Sequence, residues 1–160
     1  MSEELSHFDL RILQQIQRDA TLSTSELSEK VGLSQSPCWR RLQRLRDDGY
    51  ITKQVALVDR GKFGQSLILY ATLKIGTLTD AERADFNRKL EITPEILECY
   101  SIIGERDVLM KIVAPSMDWY QNFIFKTLMK MPGVVDVQSI VAVAEMKYTT
   151  EIPVAGIRAL

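Results

Sequence analysis

Two helix starts with a glycine between them constrain the first third of this 160-residue chain more tightly than any other feature. Ser23-Thr24-Ser25-Glu26 is a capping box, in which a hydroxyl accepts from a backbone N–H three residues on and the carboxylate there reaches back. The helix it opens runs to Val31. Gly32 then permits a tight turn, because a residue without Cβ takes positive φ freely. Ser34 is placed to cap a second helix by accepting from N–H groups two or three residues later. That helix, Ser34–Arg46, holds four arginines and no acid. Cys38, Leu42 and Leu45 fall at i, i+4 and i+7 and form an apolar edge, while Arg40, Gln43 and Arg44 point the other way. Short helix, glycine turn and basic helix predict a helix-turn-helix whose second helix enters the major groove.

Charge supports a local DNA contact. The chain as a whole carries −1, and residues 1–62 hold 10 Lys/Arg against 9 Asp/Glu. The basic character therefore sits in one helix, which suits a site-reading module better than a general nucleic-acid coat. With 46% apolar and 26% charged residues the chain is composed like a folded protein. No apolar run approaches the ~20 residues that span a bilayer. The acidic start Met1-Ser2-Glu3-Glu4 does not read as a secretory signal. Cys38 and Cys99 then read as reduced core thiols in a cytoplasmic protein. There is no Gly-rich phosphate loop, no Cys/His metal spacing and no Ser-His-Asp set. The one histidine, His7, lies at a helix start. No catalytic residue, metal site or cofactor is expected.

Ahead of the helix pair, Ser6-His7-Phe8-Asp9 can cap a first helix whose core stripe is Phe8, Ile12, Leu13 and Ile16. Asp47-Asp48-Gly49 ends the basic helix, and Tyr50–Asp59 reads as a trailing strand. The second half alternates strands and helices. Ser66–Ile75 is a strand, a capped helix runs from Thr79 to Glu91, and strands follow at Ile96–Ile103 and Val108–Val113. A helix capped by Ser116 runs to Met131, and a last strand covers Val134–Glu145. The order β-α-β-β-α-β is the ferredoxin-like pattern. The expected fold is α+β: a winged helix-turn-helix domain over residues 1–60, a linker at 61–65, and a ferredoxin-like domain over 66–160. Helices on one face leave the other open, with Leu69, Ala71, Val141 and Val143 assigned to it. A second copy stacked there would bury it and set two recognition helices for a pseudo-palindromic double-stranded DNA site.

Within the basic helix, Ser34, Gln35 and Ser36 sit at the end that meets bases and phosphates. Arg40 and Arg44 are the expected base or phosphate contacts, and Arg41 reaches phosphate from the border of the core stripe. Trp39 is expected to pack against the domain core, and Arg46 to be solvated.

Several of these segments together resemble one family. Phe8-Asp9-Leu10-Arg11-Ile12-Leu13, Leu27–Ser34 and Pro37-Cys38-Trp39-Arg40-Arg41-Leu42 resemble the helix-turn-helix of the leucine-responsive/asparagine-responsive (Lrp/AsnC) transcription regulators. Gly104-Glu105-Arg106-Asp107 and Met131-Pro132-Gly133-Val134 look like that family's effector-domain motifs. The resemblance implies a homodimer that assembles further, often to an octamer, and DNA binding modulated by a small amino-acid effector held between subunits. It carries Ser101, Gly104, Asp107, Met117, Ile140, Val141 and Ala142 over as the effector site. Asp107 would accept from the ligand ammonium, the Gly104 backbone would meet its carboxylate, and Met117, Ile140 and Val141 would sort side chains. Two other functions stand beside this one: a ligand-independent architectural DNA protein, and a tetrapyrrole decarboxylase of similar architecture, against which the single histidine argues.

Overall fold

The computed structural model describes residues 5–154. The chain forms two compact units, one of residues up to Leu57 and again from Lys147, the other Val58–Met146. The expected boundary kept everything from residue 66 in one domain. Instead the returning segment docks on the first unit. Gln17 grips its backbone twice, accepting from Ile152 N at 2.7 Å and donating to Ile152 O at 3.0 Å. Arg18 pairs with Glu151 at 2.9 Å, and Val154 packs on the apolar cluster. No helix among the described residues is long and apolar enough to cross a membrane.

In the first unit three helices, α1 (His7–Arg18), α2 (Thr24–Val31) and α3 (Gln35–Asp47), close around Ile12, Leu13, Ile16, Leu27, Val31, Cys38, Leu42 and Leu45. The predicted capping box Ser23 with Glu26 forms on α2, and the predicted cap on α1 proves to be one as well, Ser6 with Asp9. Gly32 ends α2 at φ 75°, a conformation that favours glycine. Phe8 lies outside the core, and the buried residue beside it is Asp9. Tyr50–Asp59, expected as a strand, joins no sheet. Among the described residues no strand pairs with this segment, and Val55, Leu57 and Val58 stay exposed.

The second unit runs β1 (Leu67–Ile75), α4 (Asp80–Glu91), β2 (Ile96–Ser101), β3 (Val108–Ala114), α5 (Met117–Lys126), β4 (Val134–Val141). Its antiparallel sheet has the order β2-β3-β1-β4. This is the predicted β-α-β-β-α-β connectivity. The second helix is shorter than expected. Thr127, at φ −122° and ψ −66°, interrupts it, and a 3₁₀ turn at Leu128–Lys130 carries the chain on.

The open sheet face differs from the one expected. Leu69, Ala71 and Leu73 are fully buried with Met110, Ile112, Tyr120 and Leu128 on the helix side. Val141, paired with Leu69, shares that face, and Val143 lies beyond the strand. β1 itself argues for this side: its odd positions, Leu67, Leu69, Ala71, Leu73 and Ile75, are all apolar, whereas the even ones carry Tyr70, Thr72 and Lys74. The open face carries the other parity: Tyr70 and Thr72 of β1, Leu109 and Lys111 of β3, Tyr100 and Glu98 of β2, Gln138 and Ile140 of β4.

Candidate functional site

The outward strip of α3 follows from helical spacing. Ser36, Trp39, Arg40 and Gln43 are related by three- and four-residue steps and so share one face, opposite Cys38, Leu42 and Leu45. Ser36, Trp39 and Arg40 are exposed. Arg40 makes no ion pair or hydrogen bond among the described residues, which leaves its guanidinium for an external acceptor.

Ser34 holds the cap position with extended backbone but makes no capping hydrogen bond. The reason lies three residues on. The usual donor there belongs to Pro37, which has no N–H. The Ser34 hydroxyl and the first N–H groups of α3 thus form an open, positively polarised helix end. Gln35, expected at the DNA surface, donates to Ser25 Oγ at 2.9 Å and ties α3 to α2.

Arg41 and Arg44 are placed differently from the expectation that put Arg44 on the same face as Arg40. Arg44 Nη2 lies 2.7 Å and Arg41 Nη1 3.1 Å from the carboxylate of Asp9, which is fully buried. Ser6 N and Oγ donate to the same carboxylate at 2.8 and 2.6 Å. Arg41 also lies over the Phe8 ring. Burial pushes the Asp9 carboxyl up, but the Ser6 donors, Arg41 and the Arg44 charge outweigh it, and its pKa falls below the usual value. An acid on α1 therefore orients two α3 arginines, each with about a third of its side chain still exposed. Sequence reading gave Asp9 only a capping role.

The seven effector residues fall into two groups. Ser101, Gly104 and Asp107 lie at the sheet end where Ser101 and Leu73 flank Val108. Ile140, Val141 and Ala142 lie at the other end, opposite Tyr70, Leu69 and Ile68, and Met117 follows β3 at that end. Three to six residues of β1 separate the groups, about 10–20 Å at strand spacing. One chain does not bring them together.

Gly104, at φ 152°, takes a conformation that L side chains rarely adopt, with open space around it. Asp107 is already engaged. Its carboxylate accepts from Ile75 N at 2.8 Å and Lys74 Nζ at 3.1 Å, and these contacts hold its pKa below the ordinary value. A ligand ammonium would have to displace or share the position of Lys74. Arg106, beside it, pairs with Asp136 and donates to Gln138. Sequence reasoning missed Lys74 and Arg106, because their partners lie about thirty residues away in the chain.

Comparisons with known proteins agree with both units. A winged helix-turn-helix DNA-binding family model matches residues 5–52, and an Lrp/AsnC ligand binding domain model matches residues 70–152. The DNA-binding transcriptional activator DecR of Escherichia coli is 35% identical over 150 residues, covering 94% of this chain and 99% of that protein. The leucine-responsive regulatory protein of Escherichia coli is 31% identical, covering 94% and 92%. Among solved structures, a transcriptional regulator of Neisseria meningitidis in complex with L-Met superposes with a TM-score of 0.90 at 35% identity, covering 94% and 97%.

Proposed function

The chain belongs to the Lrp/AsnC family of DNA-binding transcriptional regulators, and from that premise we propose that α3 reads a DNA site under control of a small amino acid. The observation that carries the DNA assignment is the unobstructed strip Ser36, Trp39, Arg40 and Gln43 beside an uncapped helix start. Arg40 contacts a base edge or phosphate directly. Ser34 and Ser36 meet phosphate at the helix end. Arg41 and Arg44, held by Asp9, contribute positive charge from the flank, and Gln35 keeps the start of α3 against α2.

The effector is an amino acid or close analogue, seated near the Gly104–Asp107 loop. The separation of Ser101, Gly104 and Asp107 from Met117 and Ile140–Ala142 supports a site completed by a second copy. A homodimer joined through the open sheet face, assembling further up to an octamer, would bury Tyr70, Tyr100 and Ile140 and present two recognition helices to a pseudo-palindromic duplex. A relative solved with L-Met makes methionine the first candidate. The chain acts by binding rather than catalysis, and in the cytoplasm, where its DNA is.

A panel of the twenty amino acids, read by thermal shift and by duplex binding at fixed salt, tests this reading. A true effector raises the melting temperature by mass action and shifts DNA affinity. Asp107→Ala should keep duplex affinity and lose that shift. A flat panel would favour the architectural alternative.

A further inference from the structure

Trp39 lies 52% exposed on a helix whose core is complete without it. Sequence reasoning assigned it to that core. The structure instead sets it between Ser36 and Gln43 on the outward strip, with Arg40 next in the chain. Large aromatic side chains dominate the surfaces that bury them, so a half-solvated indole in mid-strip calls for a covering partner. The charge around it selects the partner. The strip holds an available guanidinium and no acid before Asp47, and begins at an open helix end, so it suits a polyanion over an acid-binding protein surface.

We propose that Trp39 is a specificity-determining residue that packs its indole against the 5-methyl group of a thymine in the major groove. This inference rests on α3 being the groove-entering helix. Phosphate cannot satisfy an apolar ring, and the groove's distinctive apolar feature is that methyl group. The indole N–H is a donor only, compatible with the acceptors that line the groove. Arg40 would then discriminate by hydrogen bonding and Trp39 by shape, from adjacent positions on one turn.

The test uses the full chain. Duplexes with a randomised centre are selected with wild type, Trp39→Ala and Trp39→Phe, after thermal melts establish that each variant is folded. Wild type should enrich a motif containing a thymine that Trp39→Ala accepts as any base and Trp39→Phe partly retains. Uracil at that position removes only the methyl group. It should weaken wild type about fourfold, the worth of one buried methyl-sized group, and leave Trp39→Ala unchanged. The inference is overturned if uracil weakens both proteins alike at every thymine. It is equally overturned if Trp39→Ala loses the same factor on all sequences, which marks a sugar–phosphate contact. A wild type that binds duplex but enriches no motif overturns the groove assignment of α3 and this inference with it.

Discussion

At Asp9 a carboxylate with no exposed surface accepts from Ser6, Arg41 and Arg44 at once. Removing one partner of such a cluster costs more than forming it gains, because the remaining charges keep their desolvation. Asp9→Asn should therefore destabilise the first unit by about 2–4 kcal/mol at neutral pH, a figure discounted because both arginines reach water. The pH dependence has a definite sign. The folded carboxyl is depressed, so its stabilisation is present above the unfolded value near ~3.9 and is lost as pH falls through the folded value. Urea titrations below about pH 4, followed by Trp39 fluorescence in a Trp119→Phe background, should show a flatter acid slope for Asp9→Asn than for wild type. The arginines separate on DNA. Arg40→Ala should cost roughly 1–3 kcal/mol on a selected duplex and less on random duplex, if it meets a base edge. Arg44→Ala should weaken both duplexes alike and also lower thermal stability, since it takes a partner from Asp9. Cys38 and Cys99 fit the core reading, with burial pushing both thiols up. Neither should react readily with thiol reagents in the native protein at neutral pH.

Helix ends were the most legible elements. Ser6/Asp9, Ser23/Glu26 and Thr79/Glu82 all form reciprocal caps, because a capping box is a contact between residues three apart. Ser34 shows the limit of that rule: the serine was visible, and so was the proline that removes its donor, but the two had to be read together. Gly133 shows another close local fit. It sits at φ 72°, and a Cβ there would press into the Leu78 side chain. Gly133→Ala should destabilise the second unit by about 1–3 kcal/mol, from backbone strain as well as crowding, and lower its thermal midpoint. Replacing Gly49 by Ala supplies a control: its φ is equally positive, yet nothing lies within 4 Å of an added Cβ, so the smaller loss there measures strain alone.

On the scale of the whole molecule, the open sheet face gathers Tyr70, Tyr100, Leu109 and Ile140 around the Glu98–Lys111 ion pair. Tyr100 and Ile140 are both 54% exposed in the single chain. If this face joins two copies, Ile140→Glu, which places an acid where a partner sheet would pack, should shift sedimentation toward monomer and weaken DNA binding through lost bivalency. A variant that keeps the wild-type assembly would move the interface elsewhere. The returning segment matters at this scale as well. Gln17→Ala removes both backbone hydrogen bonds to Ile152 and should lower the melting temperature of the first unit without altering the sheet.

What the sequence by itself determined is everything whose cause lies within a few residues: the three capped helix starts, the glycine turn at Gly32, the apolar edge of α3, and the alternation and order of strands and helices in the second unit. Three matters were left to the tertiary structure. They are the docking of the segment after Lys147 on the first unit, the hold of Asp9 on Arg41 and Arg44, and the exposure of Trp39. The physical reason is common to all three. Each depends on which surfaces meet across long chain separations, and neither periodicity nor capping chemistry carries information about a partner dozens of residues away.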